Sequence, residues 1–225
     1  VVVGGLLPLE EGLQLIAMRG RLMQQMEGDG CMVAVSLPEA EAMQAIRDSE
    51  ADGEVSIAAV NGAASVVISG YRSGVQRVVD LVQLRHAGAK CTALAVSHGF
   101  HSPQTEGLLD ALESFAGTLP FAAAPRIPII SNVTGEMVLD DSMSNGQYWR
   151  RHTRSAVRFV SGLQTLLAEG VDVIVEVGPH PVLSGLVLQT VDSGVTCLAS
   201  MHKQRDDGLQ MAASLGAAFA SGVAV

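Results

Sequence analysis

The chain has 225 residues and a formal net charge of −9, from 14 Lys and Arg against 23 Asp and Glu. This acidic balance argues against a nucleic-acid partner, because phosphate recognition needs a basic face. Hydrophobic residues make up 48% of the chain and charged residues 16%, which argues against intrinsic disorder. No apolar run reaches the ~18 residues of a membrane-spanning helix, so no membrane partner is expected.

The N-terminal half alternates helical and β-type patterns. A helix is predicted over residues 9–26, since Leu9, Leu13 and Ile16 recur at helical spacing. The next segment has the order strand, helix, strand, strand, helix, strand, which is the split βαβ or ferredoxin-like unit, and we predict such a subdomain over residues 29–97. Its predicted elements are strands at 31–36, 55–60, 65–69 and 91–96, helices at 38–48 and 73–86, and a turn at Asn61 and Gly62.

The C-terminal half continues the alternation that is typical of an α/β fold. Residues 125–130 are predicted to form a buried strand. Residues 171–177 are almost continuously apolar, as in strands that a parallel sheet buries on both faces. The other predicted elements are helices at 105–119, 157–169 and 207–221, a helix that ends near residue 190, and a strand at 195–199.

The three cysteines, Cys31, Cys91 and Cys197, are far apart and form no CxxC motif. They therefore predict no disulfide framework, and their apolar surroundings favour buried, unreactive thiols in a reducing, cytoplasmic compartment. The first five residues are neither a methionine start nor a signal peptide, so we expect the chain to begin inside a longer sequence.

Two loops that follow predicted strands carry histidine, and strand ends are where α/β sheets place functional groups. His98 and His101 lie in the loop 97–103, and His180 lies in the turn 178–181. No third ligand lies near His98 and His101, so we expect no metal site. One of them could be a general base for a nucleophile elsewhere. The residues alone favour the alternative, that both are solvated surface groups.

Arg19 lies inside an otherwise apolar helix face. A guanidinium in such a place either snorkels to water, which is the default, or binds an anion. The adjacent Arg21 is expected to face solvent. The sequence contains no GxSxG elbow, no Walker motif and no GxGxxG after a strand. Unaided, these patterns predict an α/β domain with a split βαβ insertion.

Six stretches in collinear order resemble the acyltransferase domains of polyketide synthases, which are related to malonyl-CoA:acyl carrier protein transacylases. The stretches are LQLIAMRGRLM at 13–23, AAVNGAASVVISG at 58–70, VSHGFHSP at 96–103, IPIISNVTGE at 127–136, YWRRHTRSAVRF at 148–159 and VIVEVGPHPVL at 173–183. They cover nearly the whole chain, so the sequence is identified as a member of this family. The family's GHSxGE motif is absent, and we expect the chain to be truncated at its N-terminus.

The resemblance implies a two-part architecture. Residues 1–28 and 98–225 would form part of an α/β-hydrolase-like large subdomain, incomplete at the N-terminus. The ferredoxin-like small subdomain, residues 29–97, would be inserted into it.

The resemblance also implies the roles of individual residues. His101 matches the family's catalytic histidine, which activates a serine hydroxyl for attack on an acyl-CoA thioester. Arg19 matches the arginine that pairs with the free carboxylate of a malonyl group. His152 stands where bacterial malonyl transferases have Gln, whose role is to orient the catalytic histidine, a role that a backbone carbonyl would fill equally well. His180 would lie in a turn facing the same cleft, and Asn61, in the VNG motif, would contribute to substrate binding.

The tetrapeptide at 98–101 bears on which acyl group is chosen. In the family, HAFH accompanies malonyl-specific domains and YASH accompanies methylmalonyl-specific ones. Here it reads His98-Gly99-Phe100-His101. Phe100 would fill the space beside the malonyl α-carbon, which predicts malonyl over methylmalonyl with leaky selectivity. Gly99 in place of Ala is expected to loosen the loop.

The missing motif leaves the chain without the nucleophilic serine and most of the oxyanion hole, so we expect that it forms no acyl-enzyme alone. The alternatives are a degenerate acyltransferase and a non-catalytic ferredoxin-like interaction module. An α/β-hydrolase fragment is disfavoured, because no acidic residue is suitably placed beside His101.

The family's partners follow from the same resemblance. They are malonyl-CoA, the phosphopantetheine thiol of an acyl carrier protein, and a neighbouring ketosynthase domain, with no tightly bound cofactor. Carrier proteins are usually acidic, so docking would need a basic patch. The candidate is the arginine cluster, which could equally be solvated surface or packing: Arg150, Arg151, Arg154 and Arg158.

Overall fold

The structure is a computed structural model that describes residues 1–26, 28–191 and 194–224. The chain divides into two compact units, Val1–Gly162 and Leu163–Val225. The division into a large subdomain (1–28 and 98–225) and a small one (29–97) stays a prediction. Four residues of the predicted large subdomain lie outside the described residues: Glu27, Asp192, Ser193 and Val225.

The first unit begins with helix α1 and continues into a four-stranded antiparallel sheet of order β2-β3-β1-β4. The elements follow one another as strand, helix, strand, strand, helix, strand, which is the predicted order. Their bounds are Leu9–Met23 for α1, Gly30–Val35 for β1, Glu39–Asp48 for α2, Val55–Gly62 for β2, Ser65–Tyr71 for β3, Arg72–Arg85 for α3 and Cys91–Ala93 for β4.

The two faces of this sheet bury different residues, because successive side chains of a strand point to opposite sides. One face packs under α2 and α3 through residues such as Val35, Val66 and Ile68. The opposite face carries Met32 and Val67, which form a smaller cluster. This second face is the one that the candidate site uses.

Two details of the sheet differ from the prediction. Asn61 and Gly62 are the last residues of β2 and not a turn, because Gly62 pairs with Ser65 and leaves only two residues in the hairpin loop. Strand β4 ends at Ala93 and not at residue 96, since its ladder with β1 pairs only three residues.

Helix α1 packs on α4, and the face that it buries is not the predicted one. Leu9, Leu13 and Ile16 are all more than half exposed. The buried stripe runs through Leu15 and Leu22. These two positions are seven apart, so the residue between them at helical spacing, Arg19, also points inward.

The rest of the first unit is a helical layer with a short hairpin. Its core includes Leu108, Leu112, Tyr148 and Trp149. The elements are a 3₁₀ turn at Pro103–Thr105, α4 at Glu106–Ala116, β5 at Ile129–Ile130, β6 at Met137–Val138 and α5 at Gly146–Arg154, followed by α6 at Phe159–Ala168, which crosses into the second unit.

The predicted buried strand at 125–130 is confirmed only at its last two residues, which are half-buried. Only Ile129–Ile130 is a strand, and Ile127 is 53% exposed. Pro125 and Pro128 have no amide N–H, so this segment cannot complete a ladder.

The second unit contains a two-stranded parallel sheet, with β7 at Val173–Glu176 and β8 at Thr196–Ala199. Helices α7, Leu183–Thr190, and α8, Asp207–Ala220, accompany it. The parallel pairing agrees with the prediction. The expectation of burial on both faces is wrong, because Val175 is 52% exposed in a sheet that has two strands among the described residues.

Candidate active site

His101 lies in the histidine loop, residues 97–103, and its backbone is unusual. Its φ is +58°, in the left-handed region, which costs a residue with a Cβ about 1–2 kcal/mol. Its Nδ1 lies 2.8 Å from the carbonyl oxygen of Ser155. A carbonyl can only accept, so Nδ1 carries the proton and Nε2 keeps a free lone pair. The imidazole is therefore held in the tautomer that a general base needs.

Hydrogen bonds within the histidine loop hold this strained conformation. The hydroxyl of Ser102, which is fully buried, donates to the Gly99 carbonyl at 2.5 Å and accepts from the Gln104 amide at 3.2 Å. Thr105 Oγ1 donates to the Ser102 carbonyl at 2.8 Å. The Gly99 amide donates to Gln104 Oε1 at 2.9 Å. Backbone groups on both sides of His101 are thus fixed by buried partners.

Gly99 makes the loop tight, contrary to the expectation that it loosens it. A Cβ at this position would lie 2.8 Å from the Gly70 carbonyl oxygen and 2.9 Å from the Gly70 nitrogen. Gly30 also lies close to the loop, since a Cβ added at Gly30 would meet the Gly99 amide nitrogen. Glycine is therefore required for the loop to lie directly on the ends of β1 and β3.

The positive charge of Arg19 acts on two histidines of the first unit, His101 and His152. Burial and the positive charge of Arg19 lower the pKa of His101, against the opposing effect of the Ser155 hydrogen bond. Burial also lowers the pKa of Arg19 itself. Within the described residues, the buried Nε of Arg19 has no hydrogen-bond partner. The site thus combines a neutral imidazole with a partly desolvated cation.

His152 lies in an aromatic environment beside His101. Its ring centroid is 5.4 Å from that of Trp149, 5.9 Å from Tyr148 and 6.5 Å from His101. Burial, followed by the charges of Arg19 and His101, lowers the pKa of His152 from 6.5 to about 4. Its buried Nδ1 has no partner in the described part of the chain. His152 therefore packs against His101 but does not hold its Nδ1, which the Ser155 carbonyl occupies.

His98 and Phe100 face the interior, so the surface interpretation of the loop histidines is wrong. His98 is 8% exposed and its Nδ1 lies 2.7 Å from Ser97 Oγ. Phe100 packs on the sheet face opposite α2 and α3, against the cluster of Met32, Ala58 and Val67. The rings of His98 and Phe100 are 6.0 Å apart. Phe100 therefore joins the histidine loop to the sheet.

Asn61 is half-buried at the end of β2, and its contribution to a substrate site stays a prediction. His180 belongs to the second unit, where its ring lies 4.6 Å from that of His202. Its place in a cleft shared with His101 also stays a prediction. Glu176, the last residue of β7, accepts hydrogen bonds from the amides of Val182, Leu183 and Ser184 at the start of α7, at 2.7–3.0 Å. Burial raises the pKa of Glu176, but these hydrogen bonds outweigh it and lower the pKa to about 2.

Three of the four clustered arginines are neutralised by acidic residues of the first unit. Arg150 pairs with Asp110 and Glu113, Arg154 with Glu106, and Arg158 with Glu39. Of this cluster only Arg151 is exposed. The packing alternative therefore holds for these three arginines, and a role of the cluster in carrier docking stays a prediction.

Cys31, Cys91 and Cys197 are free and half-buried, and burial raises the pKa of each thiol. No three His, Cys, Asp or Glu side chains come together as a metal site within residues 1–26, 28–191 and 194–224. None of the helices in those ranges has both the length and the apolar composition needed to cross a bilayer.

A family model described as "Acyl transferase domain" matches residues 1–225. The chain belongs to this family. It is 41% identical over 227 residues to polyketide synthase GfsA of Streptomyces halstedii, an alignment that covers 99% of this chain and 3% of GfsA. The chain thus spans a small part of the length of that relative.

Solved structures of acyltransferase domains share the fold. The acyltransferase domain from the second module of the salinomycin polyketide synthase superposes with a TM-score of 0.92 at 38% identity, over 99% of this chain and 51% of that one. A malonyl-transacylase in complex with a type II polyketide synthase acyl carrier protein superposes with a TM-score of 0.83 at 26% identity, over 96% of this chain and 68% of that one. This chain is therefore an acyltransferase domain of the polyketide synthase type, related to malonyl transacylases.

Sequence reasoning missed one member of the site in this acyltransferase domain. Ser155 acts through its backbone carbonyl, and any residue type supplies a carbonyl, so no side-chain pattern could have singled it out. The only available signal was that a backbone carbonyl would suffice to orient His101.

Proposed function

We propose that this domain transfers a malonyl group from malonyl-CoA to the phosphopantetheine thiol of an acyl carrier protein, through a serine ester. One observation supports the proposal: the His101 imidazole is oriented by a backbone carbonyl, and its pKa is lowered by burial and by the charge of the partly desolvated Arg19 guanidinium. The first supplies a base of suitable tautomer, and the second supplies a partner for a substrate carboxylate.

In the proposed first step, Nε2 of His101 accepts the serine proton as the serine oxygen attacks the thioester carbonyl. The tetrahedral intermediate collapses, the C–S bond breaks, and the leaving coenzyme A thiolate takes the proton from the imidazolium. In the second step His101 accepts the proton of the phosphopantetheine thiol as its sulfur attacks the ester carbonyl. The C–O bond to serine then breaks, and the leaving serine oxygen takes the proton back from the imidazolium. The 225 residues contain no GxSxG motif, so the serine is proposed to lie outside them.

Arg19 is proposed to bind the free carboxylate of the malonyl group. A planar guanidinium matches a carboxylate with two parallel hydrogen bonds, which a neutral acyl group cannot make. The inward position of Arg19 on α1, between Leu15 and Leu22, supports this role because it directs the charge away from bulk water. Together with burial, the positive charge of Arg19 also lowers the pKa of His101, so the imidazole is kept neutral and available as a base near pH 7.

Phe100 is proposed to select malonyl over methylmalonyl by filling the space beside the α-carbon. Its packing against Met32, Ala58 and Val67 supports this role, since it fixes the ring in place. One methyl group in an apolar pocket is worth about 1–3 kcal/mol, so the expected preference is about 5- to 150-fold. His98 contacts Phe100 and is proposed to support the same wall of the pocket.

The partners follow from the proposed reaction. The complex of a malonyl-transacylase with its acyl carrier protein, cited above, supports a carrier protein as the acceptor. A ketosynthase domain is proposed as neighbour, in the cytoplasm, where malonyl-CoA is the donor. Because Arg150, Arg154 and Arg158 are paired internally, the carrier would dock on a surface other than this cluster.

The test is a transfer assay with the chain placed in a complete acyltransferase domain. Malonyl-CoA and methylmalonyl-CoA compete for one phosphopantetheinylated carrier protein, and the products are separated by mass. The native sequence should transfer malonyl preferentially, and Phe100→Ala should reduce the preference. Phe115→Ala, at a half-buried phenylalanine in the other core cluster, is the matched control and should leave the ratio unchanged.

Two results would count against the proposal. Failure to load either acyl group would remove the transferase function, and equal use of both by the native sequence would remove the role of Phe100. The isolated 225-residue chain should show no malonyl adduct by intact mass.

A further inference from the structure

We infer that Arg154 and Arg158 are positioning residues that hold the Ser155 carbonyl against His101, an inference whose value for catalysis rests on the proposed function. Ser155 lies in the segment 154–158, which connects α5 to α6. One ion-paired arginine stands at each end of this segment. The carbonyl that fixes the His101 tautomer lies between them.

Arg154, the last residue of α5, ties three elements together. Its Nε lies 2.6 Å from Glu106 Oε1 at the start of α4, and its Nη1 lies 3.3 Å from Ser56 Oγ on β2. The amide of the next residue, Ser155, donates to the Arg151 carbonyl at 2.7 Å. The peptide unit that carries the Ser155 carbonyl is therefore anchored from its N-terminal side.

Arg158 anchors the other side of the segment 154–158. Its Nη1 lies 2.7 and 2.8 Å from the two carboxylate oxygens of Glu39 on α2, and its amide donates to the Asn132 carbonyl at 2.8 Å. Between the two arginines, the backbone of Val157 exchanges hydrogen bonds of 2.9 Å with the sheet strand β2. The segment is thus fixed to the sheet and to two helices.

The exposure of these ion pairs argues that their main effect is local. The side chains of Arg154 and Arg158 are 31% and 36% exposed. Pairs at such exposure contribute little to global stability because water screens them. A hydrogen bond at 2.8 Å, however, weakens steeply when its acceptor moves or rotates. Removing either arginine side chain is therefore expected to weaken the hydrogen bond between His101 Nδ1 and the Ser155 carbonyl without unfolding the unit.

The consequence is a change in the protonation pattern of His101. The tautomer of a histidine is set by the hydrogen bond that one ring nitrogen makes. Loss of the Ser155 contact is expected to shift the tautomer ratio about tenfold toward protonated Nε2, which corresponds to about 1.4 kcal/mol. In that tautomer the proposed base has no free lone pair on Nε2.

The experiment is nitrogen-15 NMR of histidine-labelled 225-residue chain at neutral pH, which reports the tautomer directly. The native chain should show His101 protonated at Nδ1. Arg154→Gln and Arg158→Gln should each show a mixture of the two tautomers. Arg154→Lys, which keeps the charge, should restore part of the native signal.

Arg150→Gln is the matched control. Arg150 lies one helical turn before Arg154 on α5, its side chain is 35% exposed, and it also pairs with residues of α4, Asp110 and Glu113. It does not flank Ser155, so its removal should leave the His101 signal native-like. A His101 that stays protonated at Nδ1 in both Gln variants would overturn the inference, as would an equal change in Arg150→Gln.

This readout is independent of acyl transfer, so the two proposals fail separately. An unchanged tautomer would remove the positioning role and leave the transfer reaction untouched. A chain that transfers no acyl group would remove the function and leave the tautomer result standing. Should Arg158→Gln fold poorly, the charge swap of Arg158→Glu with Glu39→Arg must return the native tautomer, and its failure to do so overturns the inference.

Discussion

Acidification from pH 7 to pH 5 is expected to destabilise the first unit through His152. The pKa of this histidine is lowered from 6.5 to about 4, chiefly by burial. Between these two values the unfolded chain binds the proton and the folded chain does not, so stability falls as pH falls through the window and is fully kept above it. At pH 5 the loss works out at about 2 kcal/mol.

The assay is urea unfolding followed by fluorescence, and the chain is well suited to it. Trp149 is the single tryptophan and is 8% exposed, with its ring 5.4 Å from His152, so the signal reports on this unit. For a slope of about 2 kcal/mol per molar urea, the midpoint should fall by about 1 M between pH 7 and pH 5.

His152→Gln provides the comparison. Its stability at pH 7 gives the cost of the substitution itself, and only the further change at pH 5 tests the reasoning. The variant should lose about 2 kcal/mol less than the native chain over the same interval, because the buried proton-binding site is gone. If both proteins lose the same amount, the buried neutral histidine is not the source of the acid sensitivity.

Two further predictions concern backbone contacts. Gly99→Ala should destabilise the first unit by about 1–3 kcal/mol in urea unfolding, because the new Cβ would lie 2.8 Å from the Gly70 carbonyl oxygen. Gly88→Ala is the control, because Gly88 has open space around it. Equal effects of the two substitutions would contradict the packing argument. Glu176→Gln should raise hydrogen exchange of the Ser184 amide by about tenfold or more at pH 7, because a charged acceptor is lost. Since the pKa of Glu176 is lowered from 4.5 to about 2, the protection that its carboxylate gives the Ser184 amide is complete above pH 4.5 and fades toward pH 2. A difference in exchange between the two proteins that does not change with pH would refute this prediction.

Hydrophobic spacing predicted the order of elements well where the periodicity was unambiguous. The strands of the first sheet and helices α2 and α3 lie within a few residues of their predicted places. Spacing could not say which of two apolar stripes a helix buries. On α1 both Leu9-Leu13-Ile16 and Leu15-Leu22 have helical spacing, and only contact with α4 selects the second.

The site was predictable in part. Arg19 could be identified as a cation in an apolar helix, and His101 as a loop histidine at a strand end. The burial of His98 could not be deduced, since its loop lies on Gly30 and Gly70, which are distant in sequence. Pairing of the arginines was equally hidden, because Arg158 and Glu39 are 119 residues apart in sequence.

The central claim is that the proposed base His101 and the cation Arg19 belong to one site. The most direct measurement is the pKa of His101, obtained by NMR titration of the native chain and of Arg19→Gln, with the exposed Arg21→Gln as control. Because the charge of Arg19 lowers this pKa, the account predicts that Arg19→Gln raises it and that Arg21→Gln leaves it unchanged. A His101 pKa that is the same in all three proteins would mean that the guanidinium does not act on the imidazole, and would contradict the account.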